Sequence, residues 1–357
     1  MRNTTLLLRL VPITGTALAM QGCSRQDERP VTREWDVMST VAALTIPAPE
    51  RSRLDAYAAK AEETLKEIES RVSIFDPQSE ISAVNRAAGS HAVEVSGITF
   101  EVLRLSREYA RISGGRFDPT VLPLLRLWGF HGGARPVHTP ASDRLEAARR
   151  LVGYDKLVLG PGRTVRLKVA GMKADLGGIA KGYGVDLCSR RLRDAGARDF
   201  LVNLGGNLLC RGRPAPERPW TVGVRNPFRR EEILGVLELE DGLAVATSGN
   251  YERFVEIDGK RYAHILDPRT GSPVHGMAGV TVVSRSAAEA DALSTALFVA
   301  GTDDAVRILA SMPDSHALLI PDRTPLRICL TPGFVSRFIP EPAFEDRMEE
   351  LPLKERE

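Results

Sequence analysis

The chain has 357 residues, of which 43% are hydrophobic and 26% charged, and this composition is typical of a folded protein and argues against general disorder. It has 48 basic and 46 acidic residues, and two of the basic ones, Arg2 and Arg9, lie in a segment that we expect to be removed. The remaining charge is balanced, so electrostatics gives no reason to expect a nucleic-acid partner.

The first 22 residues resemble an export signal. Two arginines precede a mainly apolar run that is too short to span a bilayer, and Gly22 is followed by Cys23 as in bacterial lipoprotein cleavage sites. We therefore expect residues 1–22 to be a signal peptide, Cys23 to be lipidated, and residues 23–34 to form a tether. The protein would then be anchored to a bacterial membrane on its periplasmic face. An ordinary secretory signal or an uncleaved anchor is the alternative.

The remaining cysteines do not indicate a disulfide framework or a zinc site. Cys188, Cys210 and Cys329 are odd in number and have no paired spacing. We predict three buried structural thiols.

Helical periodicity dominates the first part of the chain. Apolar residues recur on one face of a helix over residues 54–72, with Ser52 as a plausible cap, and a second helix is predicted from Thr99 to Ser113, before Gly114 and Gly115. Residues 199–284 contain short β-rich runs separated by turn residues, and two further helices follow. The pattern predicts the α+β class, a mainly antiparallel sheet flanked by helices. Residues 340–357 are highly charged and are predicted to be a mobile tail.

A glycine-rich segment, "DLGGIAKGYGVD", lies between a predicted strand and a predicted helix within residues 165–197. Gly177 and Gly178 permit a close backbone approach, and the free amides at a helix start favour an anion. The spacing fits neither a Walker loop nor a dinucleotide fingerprint. A tight turn with Lys181 in solvent is therefore the alternative to an anion site. Tyr183 and Val185 are expected to pack inward.

Six other motifs accompany this segment in a fixed order: "FDPTVLPLLRLWGF", "NLGGNL", "RPWTVGVRNPF", "VATSGNYERF", "YAHILDPRTGSPV" and "ADALSTALF". Together the seven closely resemble the bacterial FAD:protein FMN transferases, formerly named thiamine biosynthesis lipoproteins, over residues 35–338. The resemblance implies an ApbE-like, T-fold-related α+β fold with one catalytic unit, residues 35–339. The family is commonly exported and lipidated, in agreement with the interpretation of Cys23.

The resemblance also implies an activity. The family transfers the FMN half of FAD to a threonine or serine hydroxyl of an acceptor protein, releasing AMP, with a divalent metal that is usually Mg²⁺. The acceptors implied are subunits of membrane redox complexes or other exported flavoproteins. Two alternatives remain: a Mg²⁺-dependent FAD pyrophosphatase that yields FMN and AMP, and an exported FAD carrier without turnover.

Asp291 and Thr295 are four residues apart on a predicted helix, so their oxygens emerge on one face. A carboxylate and a hydroxyl suit Mg²⁺. By resemblance, the backbone carbonyl of Gly178 completes the metal site. The alternatives are favourable charge in the first helical turn for Asp291 and an ordinary half-buried hydroxyl for Thr295.

By resemblance, His264 is the catalytic histidine, and an imidazole could take the hydroxyl proton. Asp267, Pro268, Thr270 and Gly271 are expected to shape the following turn. The "MST" segment around Ser39 replaces the family's more usual "MGT". For Trp128, a place in the core is an equally weighted alternative to a role in binding. The residues that the resemblance assigns to FAD binding are Met38, Trp128, Gly129, Phe130, Asp175, Lys181, Thr247, Ser248 and Ile265.

Overall fold

A computed structural model describes residues 29–131, 136 and 138–352. The strands are β1 Val31–Val37, β2 Thr40–Ile46, β3 Val93–Glu94, β4 Leu157–Gly160, β5 Thr164–Leu167, β6 Phe200–Leu204, β7 Asn207–Arg211, β8 Trp220–Arg225, β9 Ile233–Leu239, β10 Ala244–Gly249, β11 Phe254–Ile257, β12 Lys260–Ala263, β13 Met277–Ser284, β14 His316–Pro321, β15 Ile328–Leu330, β16 Phe338–Pro340 and β17 Met348–Glu350. The helices are α1 Leu54–Val72, α2 Glu80–Arg86, α3 Gly97–Ile112, α4 Leu122–Leu127, α5 Ser142–Arg150, α6 Ala180–Asp194, α7 Ala287–Leu309 and α8 Pro332–Val335.

The central layer is a nine-stranded sheet in the order β1-β2-β6-β7-β10-β13-β14-β15-β17. Its neighbouring strands are antiparallel, except that β15 and β17 run parallel. Every residue of β13 is buried, as expected for a strand covered on both faces. The predicted α+β class and antiparallel sheet are confirmed.

Helices α1, α6 and α7 pack together and cover one face of this sheet. Helix α1 buries the predicted apolar face, but it begins after a short 3-10 helix that contains Ser52, so Ser52 is not its cap. Helix α3 begins at Gly97, two residues before the predicted start. The Ser96 side chain caps it by accepting a hydrogen bond from the backbone N–H of Thr99. It ends where Gly114 and Gly115 follow, as predicted.

Helix α7 contains the two predicted helices, and Gly301 between them has a positive φ of 71° that interrupts the helical geometry. Its first turn is fixed to α6, because the Asp186 carboxylate accepts hydrogen bonds from the backbone N–H groups of Ala287 and Ala288. The helices approach closely: a Cβ at Gly182 would lie 2.1 Å from the carbonyl oxygen of Ala287. This contact positions the starts of both helices beside each other.

The opposite face of the sheet is covered by the smaller sheet β8-β9-β16, whose apolar residues pack against β7, β10, β13 and β14. A further sheet of β3, β5 and β4 packs against α3, and β11 and β12 form a separate hairpin. Cys188, Cys210 and Cys329 are buried and free, as predicted.

The two predicted boundaries of the 35–339 unit need correction. Strand β1 begins at Val31, so residues 31–34 belong to the sheet and not to the tether. Residues 340–350 are not a mobile tail: they form a 3-10 helix, Pro342–Arg347, and the edge strand β17. Backbone hydrogen bonds to β15 hold this strand, and Phe344 and Met348 pack against the core while Glu349 and Glu350 are exposed. Composition does not report such backbone bonds. The signal peptide, Cys23 and residues 353–357 lie outside the described residues. No helix within the described ranges is long and apolar enough to cross a membrane.

Candidate active site

The glycine-rich segment forms a tight turn that leads into α6, as predicted. The backbone N–H of Asp175 donates to the carbonyl oxygen of Pro119 at 2.7 Å, and the Asp175 carboxylate accepts a hydrogen bond from the N–H of Gly177 at 2.9 Å. Asp175 therefore shapes the turn. Tyr183 and Val185 in α6 are buried, as expected.

Lys181 and Asp291 connect this turn to α7. The Lys181 ammonium donates to the carbonyl oxygen of Gly177 at 3.0 Å and lies 3.7 Å from Oδ1 of Asp291. The other carboxylate oxygen of Asp291 accepts the backbone N–H of Gly182 at 3.0 Å. Burial raises the pKa of Asp291, and Lys181 and the Gly182 N–H oppose that shift. Lys181 is thus engaged within the site, and the alternative of a lysine simply in solvent is wrong.

Thr295 meets the same turn from α7. A Cβ placed on Gly178 would lie 3.7 Å from Oγ1 of Thr295, and Oγ of Ser248 lies 3.4 Å from that hydroxyl. Ser248 also shares a 2.8 Å hydrogen bond with Ser294. The tertiary structure therefore brings Gly178 and Thr295 together. The contact with Lys181 places Asp291, the other candidate ligand on α7, beside the same turn.

Thr247 lies apart from this group. Successive residues of a strand point to opposite faces, so Ser248 of β10 faces α7 while Thr247 faces the other side of the sheet. There Oγ1 of Thr247 is 2.9 Å from Oγ1 of Thr281.

The oxygen atoms of Asp291, Thr295 and the glycine turn are suitable ligands for a hard divalent cation. Asp291 supplies a buried carboxylate. Its nearest positive charge is the ammonium of Lys181, which lies 3.7 Å from Oδ1 and whose side chain is 28% exposed. Thr295 adds a hydroxyl and the turn adds carbonyl oxygens. Within the described ranges no three His, Cys, Asp or Glu side chains cluster as metal ligands. Mg²⁺ needs only one or two carboxylates, since it keeps waters and substrate phosphate oxygens as ligands.

His264 follows β12 and is oriented by the backbone of Arg253. The backbone N–H of His264 donates to the carbonyl oxygen of Arg253 at 3.1 Å, and the ring nitrogen Nδ1 lies 3.2 Å from the same oxygen. A carbonyl oxygen only accepts, so Nδ1 carries the proton and Nε2 presents a lone pair.

His264 is half-buried. Desolvation and the nearby cations Arg253 and Lys181 lower the pKa of His264 to about 4. The imidazole is therefore neutral at pH 7 and able to accept a proton.

Two ionisable residues beside the site escaped the sequence analysis. Glu252 is exposed at its surface but lies within electrostatic reach of Lys181 and Asp291; partial desolvation raises its pKa to about 7 against the opposing effect of Lys181 and Arg253. Nε2 of His131 lies 3.3 Å from Oδ2 of Asp175. Desolvation lowers the pKa of His131. Both residues were visible in the sequence, because Glu252 lies inside "NYERF" and His131 directly follows "LWGF", but nothing in the spacing related them to Asp175 or Lys181.

The aromatic and apolar residues assigned to FAD divide between core and surface. Trp128 is 5% exposed, and its indole N–H donates to the carbonyl oxygen of Gly271 at 2.8 Å, so its side chain belongs to the core. Ile265 is also buried in a core cluster. Phe130 is half-buried and follows Gly129, which has a positive φ of 77°.

Met38 is half-buried with a positive φ of 51°, beside Ser39 at 58°. The turn after His264 has the predicted structural role: the N–H of Gly271 donates to the carbonyl of Asp267, and the Asp267 carboxylate accepts the N–H of Arg269.

Comparison with known proteins identifies the family. The ApbE family profile matches residues 38–320. A curated FAD:protein FMN transferase of Vibrio cholerae serotype O1 is 31% identical over 80% of this chain and 86% of its own length, and one from Klebsiella pneumoniae is 29% identical over 83% and 86%. The solved flavin transferase ApbE from Vibrio cholerae superposes with a TM-score of 0.79 at 28% identity, covering 87% of this chain and 99% of that one. The chain belongs to the ApbE family.

Proposed function

We propose that this protein transfers the FMN half of FAD to a threonine or serine hydroxyl of an acceptor protein and releases AMP. One observation carries the proposal beyond family membership. Lys181 contacts Asp291 and also lies close enough to His264 to lower its pKa. The candidate metal site and the candidate base, which come from separate segments of the chain, therefore lie on two sides of Lys181.

The proposed metal ligands are the carboxylate of Asp291, the hydroxyl of Thr295 and the carbonyl oxygen of Gly178. Mg²⁺ bound there would neutralise charge on the diphosphate of FAD. Lys181 adds a positive charge at the same position, fixed by its hydrogen bond to Gly177.

His264 supplies the base. Nε2 takes the proton from the acceptor hydroxyl as its oxygen bonds to the phosphorus of the FMN half. The bond between that phosphorus and the bridging oxygen breaks, and the electron pair leaves with AMP. At pH 7 the imidazole is neutral and needs no prior deprotonation, but its lowered pKa makes it a weaker base than an ordinary histidine.

The decisive experiment is incubation of the purified protein with FAD, Mg²⁺ and a candidate acceptor, followed by mass spectrometry of the acceptor and chromatography of the nucleotides. We expect a covalent FMN adduct and an equal amount of AMP, and loss of both in Asp291→Asn with the fold retained. Free FMN and AMP without an adduct would identify a pyrophosphatase instead. No AMP under any condition would identify a carrier.

The proposed location is a bacterial membrane, on its periplasmic face, through lipid on Cys23. The folded domain begins at Val31, so the intervening chain reaches at most about 26–29 Å. That reach suits an acceptor at the same membrane, such as a subunit of a redox complex. Metabolic labelling with a fatty acid tests the anchor: label should appear in the wild type and disappear in Cys23→Ala, and an unlabelled wild type would contradict it.

A further inference from the structure

Asn207 is a buried polar residue at a position that the hairpin does not require to be polar. It begins β7, directly after Gly205 and Gly206, whose positive φ values of 58° and 95° form the tight turn from β6. The turn has its own side-chain support, because Oδ1 of Asn203 accepts the N–H of Gly206 at 3.0 Å. The three residues after Asn207 in β7 are buried and apolar.

The side chain of Asn207 faces the candidate metal site. It is 4% exposed and lies on β7, which packs against α7, close enough to the Asp291 carboxylate to oppose the rise that burial causes in the pKa of that group. Its Oδ1 is buried and has no hydrogen-bond partner among the described residues. A buried amide oxygen left unpaired costs about 1–3 kcal/mol, so packing alone does not account for asparagine here.

We propose that Asn207 is a positioning residue for Asp291: its amide N–H holds the carboxylate in the orientation that binds the cation, and its free Oδ1 accepts a hydrogen bond from a water on that cation. The inference rests on the proposed function, since it takes Asp291 as the metal-binding carboxylate.

The contacts of Asp291 show why such a residue is needed. The N–H of Gly182 fixes Oδ2 of the carboxylate, whereas the ion pair of Oδ1 with Lys181 is long at 3.7 Å. A cation would repel the Lys181 ammonium. Asn207 gives a neutral donor on a rigid strand, so it orients the carboxylate without opposing the incoming charge. Outer residues of this kind commonly change metal affinity by about 10–100-fold.

The test is calorimetric titration of Mg²⁺ into the full-length protein with FAD absent, together with thermal unfolding and steady-state kinetics. For Asn207→Leu we expect Mg²⁺ affinity to fall about 10–100-fold, with the lost rate largely restored at saturating Mg²⁺. The matched control is Asn203→Ala in the same hairpin, which should lower the unfolding temperature and leave Mg²⁺ affinity unchanged.

Asn207→Asp keeps the shape but cannot donate to Asp291, so it should also bind Mg²⁺ more weakly. Tighter binding by Asn207→Asp would make Oδ1 a direct ligand and overturn the positioning role. Wild-type affinity in either Asn207 variant would overturn the inference and leave the proposed transferase intact. A wild-type protein that binds no Mg²⁺ would contradict both this inference and the proposed metal site.

Discussion

Nδ1 of His264 lies 3.2 Å from the backbone carbonyl oxygen of Arg253, and this contact leaves Nε2 as the free acceptor of the ring. The carbonyl belongs to the same Arg253 whose guanidinium helps to lower the pKa of the imidazole. Arg253 therefore sets the tautomer of the candidate base, whereas desolvation is the main cause of its lowered pKa and the Arg253 charge adds to it.

The first prediction concerns pH. Because the pKa of His264 is lowered to about 4, the base should remain active well below the usual range of histidine, and kcat/KM should fall only as the pH approaches 4. Any change near pH 7 would come from Glu252, whose pKa is raised to about 7, and should vanish in Glu252→Gln. An acid limb near pH 6.5 in Glu252→Gln would show that the imidazole is not desolvated.

The same lowered pKa affects stability. Between about pH 4 and 6.5 the unfolded chain protonates this histidine and the folded chain does not, so this group makes the free energy of unfolding decrease as the pH falls through that window. His264→Gln should remove this part of the pH dependence in denaturant titrations.

The same His264→Gln change should slow transfer by about 10²–10⁴-fold while FAD binding persists. A variant with normal turnover would exclude His264 as the base.

The second prediction compares two glycines. A Cβ at Gly178 would lie 3.1 Å from the Phe117 ring, which can shift slightly, whereas a Cβ at Gly182 would lie 2.1 Å from the backbone oxygen of Ala287. Gly178→Ala should cost less than about 1 kcal/mol and Gly182→Ala about 3 kcal/mol or more, since backbone cannot yield as a ring can. Chemical unfolding measures both. Equal losses would mean that α6 and α7 are not packed as described.

The third prediction separates core from ligand contact at Trp128. Trp128→Phe leaves the Gly271 carbonyl without its donor, and we expect a loss of about 1–3 kcal/mol in unfolding free energy with unchanged FAD affinity. Trp220→Phe is the matched control, because the Trp220 indole N–H donates to the Arg211 carbonyl at 3.0 Å in a different core cluster. A fall in FAD affinity specific to Trp128→Phe would restore its role in binding.

The fourth prediction concerns Ser39, whose φ of 58° is in the left-handed region. Ser39→Gly should stabilise the protein by about 0.5–1 kcal/mol, because glycine adopts this conformation without the Cβ clash, although it loses more chain entropy. Ser336, with a φ of −64°, is the control, and Ser336→Gly should destabilise. Thermal unfolding compares them, and a destabilised Ser39→Gly would refute the strain argument.

Local patterns predicted the elements well where one physical signal dominated. The apolar period of α1, the glycine turn before α6 and the two helical pieces around Gly301 all appear in the structure. The charged C-terminal segment was predicted wrongly, because β17 is held by backbone pairing with β15 and such pairing leaves no mark on composition.

At the site, the sequence determined the residue types and the family: Asp291 and Thr295 one helical turn apart, two glycines before a helix, and a histidine in the longest motif. Only the tertiary structure decided which of these meet. It joined Lys181 to Asp291, turned Thr247 away from Ser248, placed Trp128 in the core and brought His131, Glu252 and Asn207 close to these residues. The reason is physical: spacing fixes neighbours within one helix or strand, whereas contacts between segments depend on how their apolar faces pack, and pKa shifts depend on the burial that results.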